Sequence, residues 1–139
     1  IMRFSAIPGT SRHHWGSDLD VFDASAIPDG YQLQLSPGEV APGGIFDPLH
    51  IWLDERMAAG QSHGFFRPYH SDNGGVAPER WHLSYAPLSS ACELSCTCEV
   101  LRSVVEPENI RLWGTVGEHF DELFERYIAV PSGWCPTPS

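Results

Sequence analysis

Apolar and polar positions change period several times along this chain, and each change predicts an element. Over residues 17–22, Asp18 and Asp20 alternate with Leu19 and Val21. That predicts a strand with one buried apolar face and two carboxylates on the other. An extended entry over residues 1–6 precedes it, closed by the Pro8-Gly9 turn. Tyr31-Gln-Leu-Gln-Leu35 alternates again and predicts a second strand. The period then lengthens. Asp47-Pro48 is a helix start, Leu49, Trp52, Leu53 and Met57 recur at helical spacing, and Gly60 supplies the stop. Phe65, Phe66 and Tyr69 form an aromatic segment containing a strand. Asn73-Gly74-Gly75 marks a tight turn, and Trp81, Leu83 and Tyr85 alternate in a further strand.

Beyond Pro87 the pattern is helical. Ser90 and Glu93 have the spacing of a capping box, with Leu94, Leu101, Val104 and Val105 facing inward until Pro107. A last helix over residues 116–128 places Val116, Phe120, Leu123, Phe124 and Tyr127 on one face. Strand, helix, strands and a helical C-terminal tail define an α+β fold. Its expected form is a small, mainly antiparallel sheet carrying the functional site on one face, with helices packed on the other. A chain of 139 residues builds one domain with one core.

Composition narrows the function. The 18 acidic residues outnumber 8 basic ones, all of them Arg, and the net charge is -10. No basic stripe exists to neutralise phosphates, which argues against nucleic acid and against an anionic bilayer surface. No apolar run approaches the roughly 18 residues of a membrane span. The opening IMRFSAIPG is too short, and broken too early by Pro8, for a secretory signal. Because the chain opens on Ile1, the expectation is a domain over residues 1–139 that lacks an N-terminal segment. Cys92, Cys96, Cys98 and Cys135 show no C-x-x-C spacing and read as buried thiols, with Cys135 able to pair only in an oxidising compartment.

Two segments carry chemistry. SRHHWGSDLD supplies His13 and Asp20 with Gly16 between them as the point where the chain can reverse. PERWHLSY supplies Glu79 and His82. Two imidazoles and a carboxylate form a three-ligand zinc shell with the fourth position open to water. His14 and Asp18 are the alternatives for the ligand positions. Strict alternation would put Glu79 and His82 on opposite faces, so Glu79 must lie in a turn after Pro78, where its carboxylate can lean over the water as base. The remaining histidines have bland readings: His50 and His119 as surface or half-buried helix residues, and His63 and His70 as solvated loop residues, with lining of the cleft as the alternative for these two.

S-x-H-x(6)-D followed by E-x-W-H-x-x-Y resembles the zinc D-alanyl-D-alanine carboxypeptidases and dipeptidases, peptidoglycan metallopeptidases that share their metal site with lysostaphin-type enzymes and the hedgehog domain. The likeness spans roughly residues 3–87. It implies His13, Asp20 and His82 as Zn2+ ligands, Glu79 as catalytic base, and Ser11 and Tyr85 as residues near substrate. The implied substrate is a peptidoglycan stem peptide or related short peptide, and the implied location is the bacterial cell envelope or periplasm. Two departures stand out. Asp18 occupies a position where the family often has a small residue; on a strand it shares a face with Asp20, so it can compete as ligand or support the ligands from behind, and the motif spacing favours Asp20 as the ligand. The family's oxyanion-stabilising Arg belongs upstream of the His motif, and neither Arg3 nor Arg12 matches it. The alternatives are a zinc-holding peptide-binding module without turnover, or an endolysin-type peptidase cutting another stem-peptide bond.

Overall fold

The computed structural model describes residues 2–108 and 110–136. Its elements run β1 (Asp18–Asp20), α1 (Pro37–Val40), α2 (Asp47–Ala58), β2 (Phe65–Phe66), β3 (His82–Tyr85), α3 (Ala86–Ser95), α4 (Cys98–Val105), α5 (Trp113–Glu118) and α6 (Phe120–Tyr127), with short 3-10 turns between them. Among the described residues the strands form one antiparallel sheet in the order β1-β3-β2. The fold is α+β.

The register of β1 on β3 places the site. Asp18 lies opposite Ser84 and Asp20 opposite His82, so all four side chains share one face. Leu19 and Leu83 share the other face. The expected polarity of β1 is corrected here: the Asp18 face is the buried one, and Leu19 is 41% exposed. Asp18 can be buried because four polar groups donate to it. The strand is also shorter than residues 17–22.

Residues 31–35 form no strand, a second correction. Their alternation finds no pairing partner; the segment instead closes on Glu39, whose carboxylate accepts bonds from the Tyr31 hydroxyl (2.8 Å) and the Gln34 N–H (3.0 Å). Leu33 and Leu35 pack on a cluster of Val40, Phe46 and Trp81. Likewise Met2 to Phe4 form a turn rather than an extended entry, and Ile1 lies outside the described residues.

Helix α2 begins and ends near its sequence signals, but its inward face differs from the one the apolar spacing predicts. Trp52 is 50% exposed and His50 is 0% exposed. Asp47, His50 and Asp54 lie on one polar face, and this face meets two arginines. Arg80 donates to Asp47 (3.0 Å), Asp54 (2.7 Å) and the Val40 carbonyl (2.5 Å). Arg67 donates to Asp54, to the Arg80 carbonyl (2.8 Å) and to His50 Nδ1 (3.3 Å). His50 is therefore neither a surface nor a half-buried residue.

A second cluster gathers Ile7, Phe120, Phe124 and Ile128, with Leu101, Trp113, Val116 and Leu123 against it. Ser90 is no helix cap, because α3 begins at Ala86 and runs through it. Thr97 caps α4 instead, its hydroxyl accepting the Val100 N–H (3.2 Å). Leu94 and Val104 face solvent, contrary to the inward reading, because the helical region is broken between α3 and α4 and only Leu101 and Val105 turn to the interior. The last helical stretch is broken too, at His119, into α5 and α6. The four cysteines are free and only partly buried.

Candidate metal and peptidase site

The first motif folds as a single 3-10 turn, Arg12–Trp15. Ser11 caps it, accepting the His13 N–H (3.3 Å), and Gly16 ends it at φ 70°, in the left-handed region that a Cβ disfavours. The chain then enters β1, and the reversal brings His13 back over the strand. In the second motif Glu79 precedes a turn closed by the His82 N–H donating to the Glu79 carbonyl (3.2 Å). Arg80, inside that turn, is the residue that α2 holds. The loop carrying Glu79 is thus fixed by a helix some thirty positions away in sequence.

His13, Asp20 and His82 offer ligand atoms that all lie within 4.8 Å of one another. Asp20 Oδ1 is 3.5 Å from His13 Nε2 and 3.5 Å from His82 Nδ1. Glu79 Oε2 approaches the same His82 Nδ1 at 3.5 Å. Asp20 Oδ1 is buried yet accepts no hydrogen bond among the described residues. A buried carboxylate oxygen without a donor is costly unless a cation completes it. Nitrogen and oxygen donors converging on that oxygen fit a divalent metal such as zinc. His14 is exposed and outside this group.

Asp18, the rival carboxylate, is turned away from the ligand atoms and is 0% exposed at its side chain. It accepts from His82 Nε2 (2.8 Å), Arg12 Nε (2.7 Å), Ser84 Oγ (2.7 Å) and Ser17 Oγ (3.0 Å). Burial alone would raise its pKa, but the bonds from His82, Arg12 and Ser84 outweigh burial and hold it at about 2. Its backbone carbonyl accepts from His13 Nδ1 (3.2 Å). Arg12, equally buried, also donates to Glu93 of α3 and to Ser84 Oγ (3.0 Å).

These groups open onto a cavity of about 320 Å³ lined by Ser11, His13, Asp20, Glu79 and His82. Tyr69 lines it as well, edge-on to the His82 ring at 5.1 Å, and burial pushes its phenol well above the ordinary range. Tyr85 lies elsewhere, stacked on Phe65 at 5.1 Å and not among the lining residues. Sequence reading gave Arg12 and Arg80 no place in the site and gave Glu93 only a capping-box role with Ser90. The only signal for them was that an acid-rich chain has so few arginines to spend on buried carboxylates.

Two imidazoles and a carboxylate that could hold a metal ion thus stand beside a glutamate in one cleft. The model of the VanY family, described as D-alanyl-D-alanine carboxypeptidase, matches residues 1–88, and the chain belongs to that family. A protein of Haemophilus influenzae, described as "Uncharacterized protein", is 35% identical over 124 residues, covering 88% of this chain and 92% of that protein. No solved structure matches. Among the described residues no helix is long and apolar enough to cross a membrane.

Proposed function

We propose that this chain is a zinc-dependent peptidase acting on peptidoglycan stem peptides or related short peptides. The observation that supports it most is Asp20 Oδ1, buried and without a hydrogen-bond donor among the described residues, 3.5 Å from two imidazole nitrogens, with the Glu79 carboxylate beside one of them. His13 Nε2, Asp20 Oδ1 and His82 Nδ1 would hold the ion, which when bound supplies Lewis acidity toward water and the scissile carbonyl. Glu79 takes a proton at its carboxylate as the attacking water adds, and returns it to the leaving amine. The loop that bears Glu79 is pinned by Arg80, so the base is held in place before substrate arrives. A substrate of this kind places the protein at the cell envelope.

The test is hydrolysis of a D-Ala-D-Ala-ended peptide by zinc-loaded protein, with Glu79→Gln alongside. Turnover is expected to fall at least about a hundredfold in the variant while zinc binding persists. Undiminished turnover in Glu79→Gln would remove the assigned base. A second reading has its own observation. Among the described residues lining the cavity, Arg12 is the one guanidinium, and it is committed to Asp18, Glu93 and Ser84. An exopeptidase needs a partner for the substrate's terminal carboxylate, which an endopeptidase does not. Faster cleavage of a C-terminally amidated stem peptide would favour the endopeptidase.

A further inference from the structure

Both imidazoles of the site meet the same residue. His82 gives its Nε2–H to the Asp18 carboxylate, and His13 gives its Nδ1–H to the Asp18 carbonyl. A carbonyl only accepts, so Nδ1 of His13 must carry the proton and Nε2 is left with its lone pair. An ionised carboxylate also only accepts, so His82 carries its proton on Nε2 and keeps the Nδ1 lone pair. The two lone pairs are the two nitrogens that face Asp20 at 3.5 Å. One residue thus selects opposite tautomers in two rings, one through its side chain and one through its backbone.

We propose that Asp18 is the positioning residue that makes both histidines competent to bind the metal, and that it is held in that role by Glu93 through Arg12. This rests on the zinc reading above and deepens it. Asp18 would wander or invite an extra proton if its other lone pairs were free, but Arg12, Ser84 and Ser17 occupy them. Arg12 has its own geometry set from the far side. Glu93 accepts from Arg12 and also, at 3.4 Å, from the Val130 N–H. Glu93 lies on α3, outside residues 1–88 that the family model matches. The helical portion of this chain therefore reaches the metal ligands through a continuous run of hydrogen bonds, Val130–Glu93–Arg12–Asp18–His82. Partners of this kind fix ring orientation and raise ligand basicity in metal sites generally.

The experiment uses the full chain, with ring-nitrogen chemical shifts of His13 and His82 recorded in zinc-free protein at the high-pH plateau. A chromophoric chelator competing for zinc gives affinities. Wild type is expected to show Nε2–H on His82 and Nδ1–H on His13. Asp18→Asn should mix the His82 tautomers and weaken zinc binding by about tenfold or more. Glu93→Gln, a change at a partly exposed position, should fold normally and weaken zinc by about threefold with the His82 tautomer partly mixed. If His82 carries its proton on Nδ1 in wild type, the proposal fails. It also fails if both variants keep wild-type ring shifts and zinc affinity. Correct tautomers and tight zinc without peptide cleavage would instead overturn the peptidase reading and leave this one standing.

Discussion

Acidification of the zinc-free protein is expected to cost about 3 kcal/mol through His50 alone. The ring is wholly buried on α2, its Nδ1 accepts from Arg67 Nη2 at 3.3 Å, and its Nε2 has no partner among the described residues. Burial, and then the charges of Arg67 and Arg80, lower its pKa from 6.5 to about 4. Between those two values the unfolded chain takes up a proton that the folded chain refuses. The contribution is therefore complete above pH 6.5 and disappears as pH falls to about 4. At about 1.4 kcal/mol per pH unit, that interval amounts to about 3 kcal/mol. His82 runs the other way. Burial opposes its protonation, but the bonds to Asp18 and Glu79 prevail and raise its pKa, so its contribution is complete below the unfolded value and wanes only as pH rises. The upper part of the acid window is left to His50, because the carboxylates held low, Asp18, Asp47 and Glu39 among them, lose their contribution mainly below about pH 5. Urea unfolding followed by tryptophan fluorescence, at steps from about pH 7 to about pH 4 in chelator, measures the slope. His50→Gln keeps an acceptor for Arg67 and cannot titrate, so its curve should be flatter by about 3 kcal/mol across the window. Parallel curves for the two proteins would show that the buried ring is not what resists the proton.

Two further outcomes follow from the fold. Arg80→Met should release the Glu79 turn from α2, lowering kcat about tenfold with little change in KM in the peptide-hydrolysis assay. A fall in KM with unchanged kcat would contradict the positioning role. At Gly75, an added Cβ would stand 1.7 Å from the Arg126 carbonyl oxygen, so Gly75→Ala must move backbone on one side or the other. Overpacking of this kind costs about 1–3 kcal/mol, read as a lower urea midpoint at unchanged slope, and a midpoint equal to wild type would mean the contact is soft.

The parts of this molecule that were legible in sequence are those whose residues announce local geometry. Asp47-Pro48 and Gly60 bracket α2, and Trp81 and Leu83 reach the interior as their alternation demands. The spacing of His13, Asp20, Glu79 and His82 named the four groups that the fold brings together. What stayed hidden depended on partners distant in sequence. Tyr31 to Leu35 alternate like a strand, yet strand formation needs a neighbour, and β1 and β2 already take both edges of β3. Trp52 has the right spacing to be buried, but α2 docks through charge, with Asp47, His50 and Asp54 on Arg67 and Arg80, and hydrophobic periodicity does not register such a face. Asp18 was read as a rival ligand or as a support behind the ligands, and only the burial of its face was missed, for the same reason. A carboxylate reads as solvent-facing until the four donors that surround it are known.

Ile7 packs among Phe120, Phe124 and Ile128, Arg126 Nε donates to the Gly74 carbonyl at 3.1 Å, and Arg12 bonds to Glu93. Each tie joins the segment matched by the family to the segment beyond it. The end of the family model at residue 88 is therefore not a seam in the molecule. A piece cut there would keep all four residues assigned to chemistry, yet expose an apolar side chain and strand a buried guanidinium without its outer carboxylate. Grafting or minimising this site has to carry the helices along, because the family model and the folded unit end at different places in the chain.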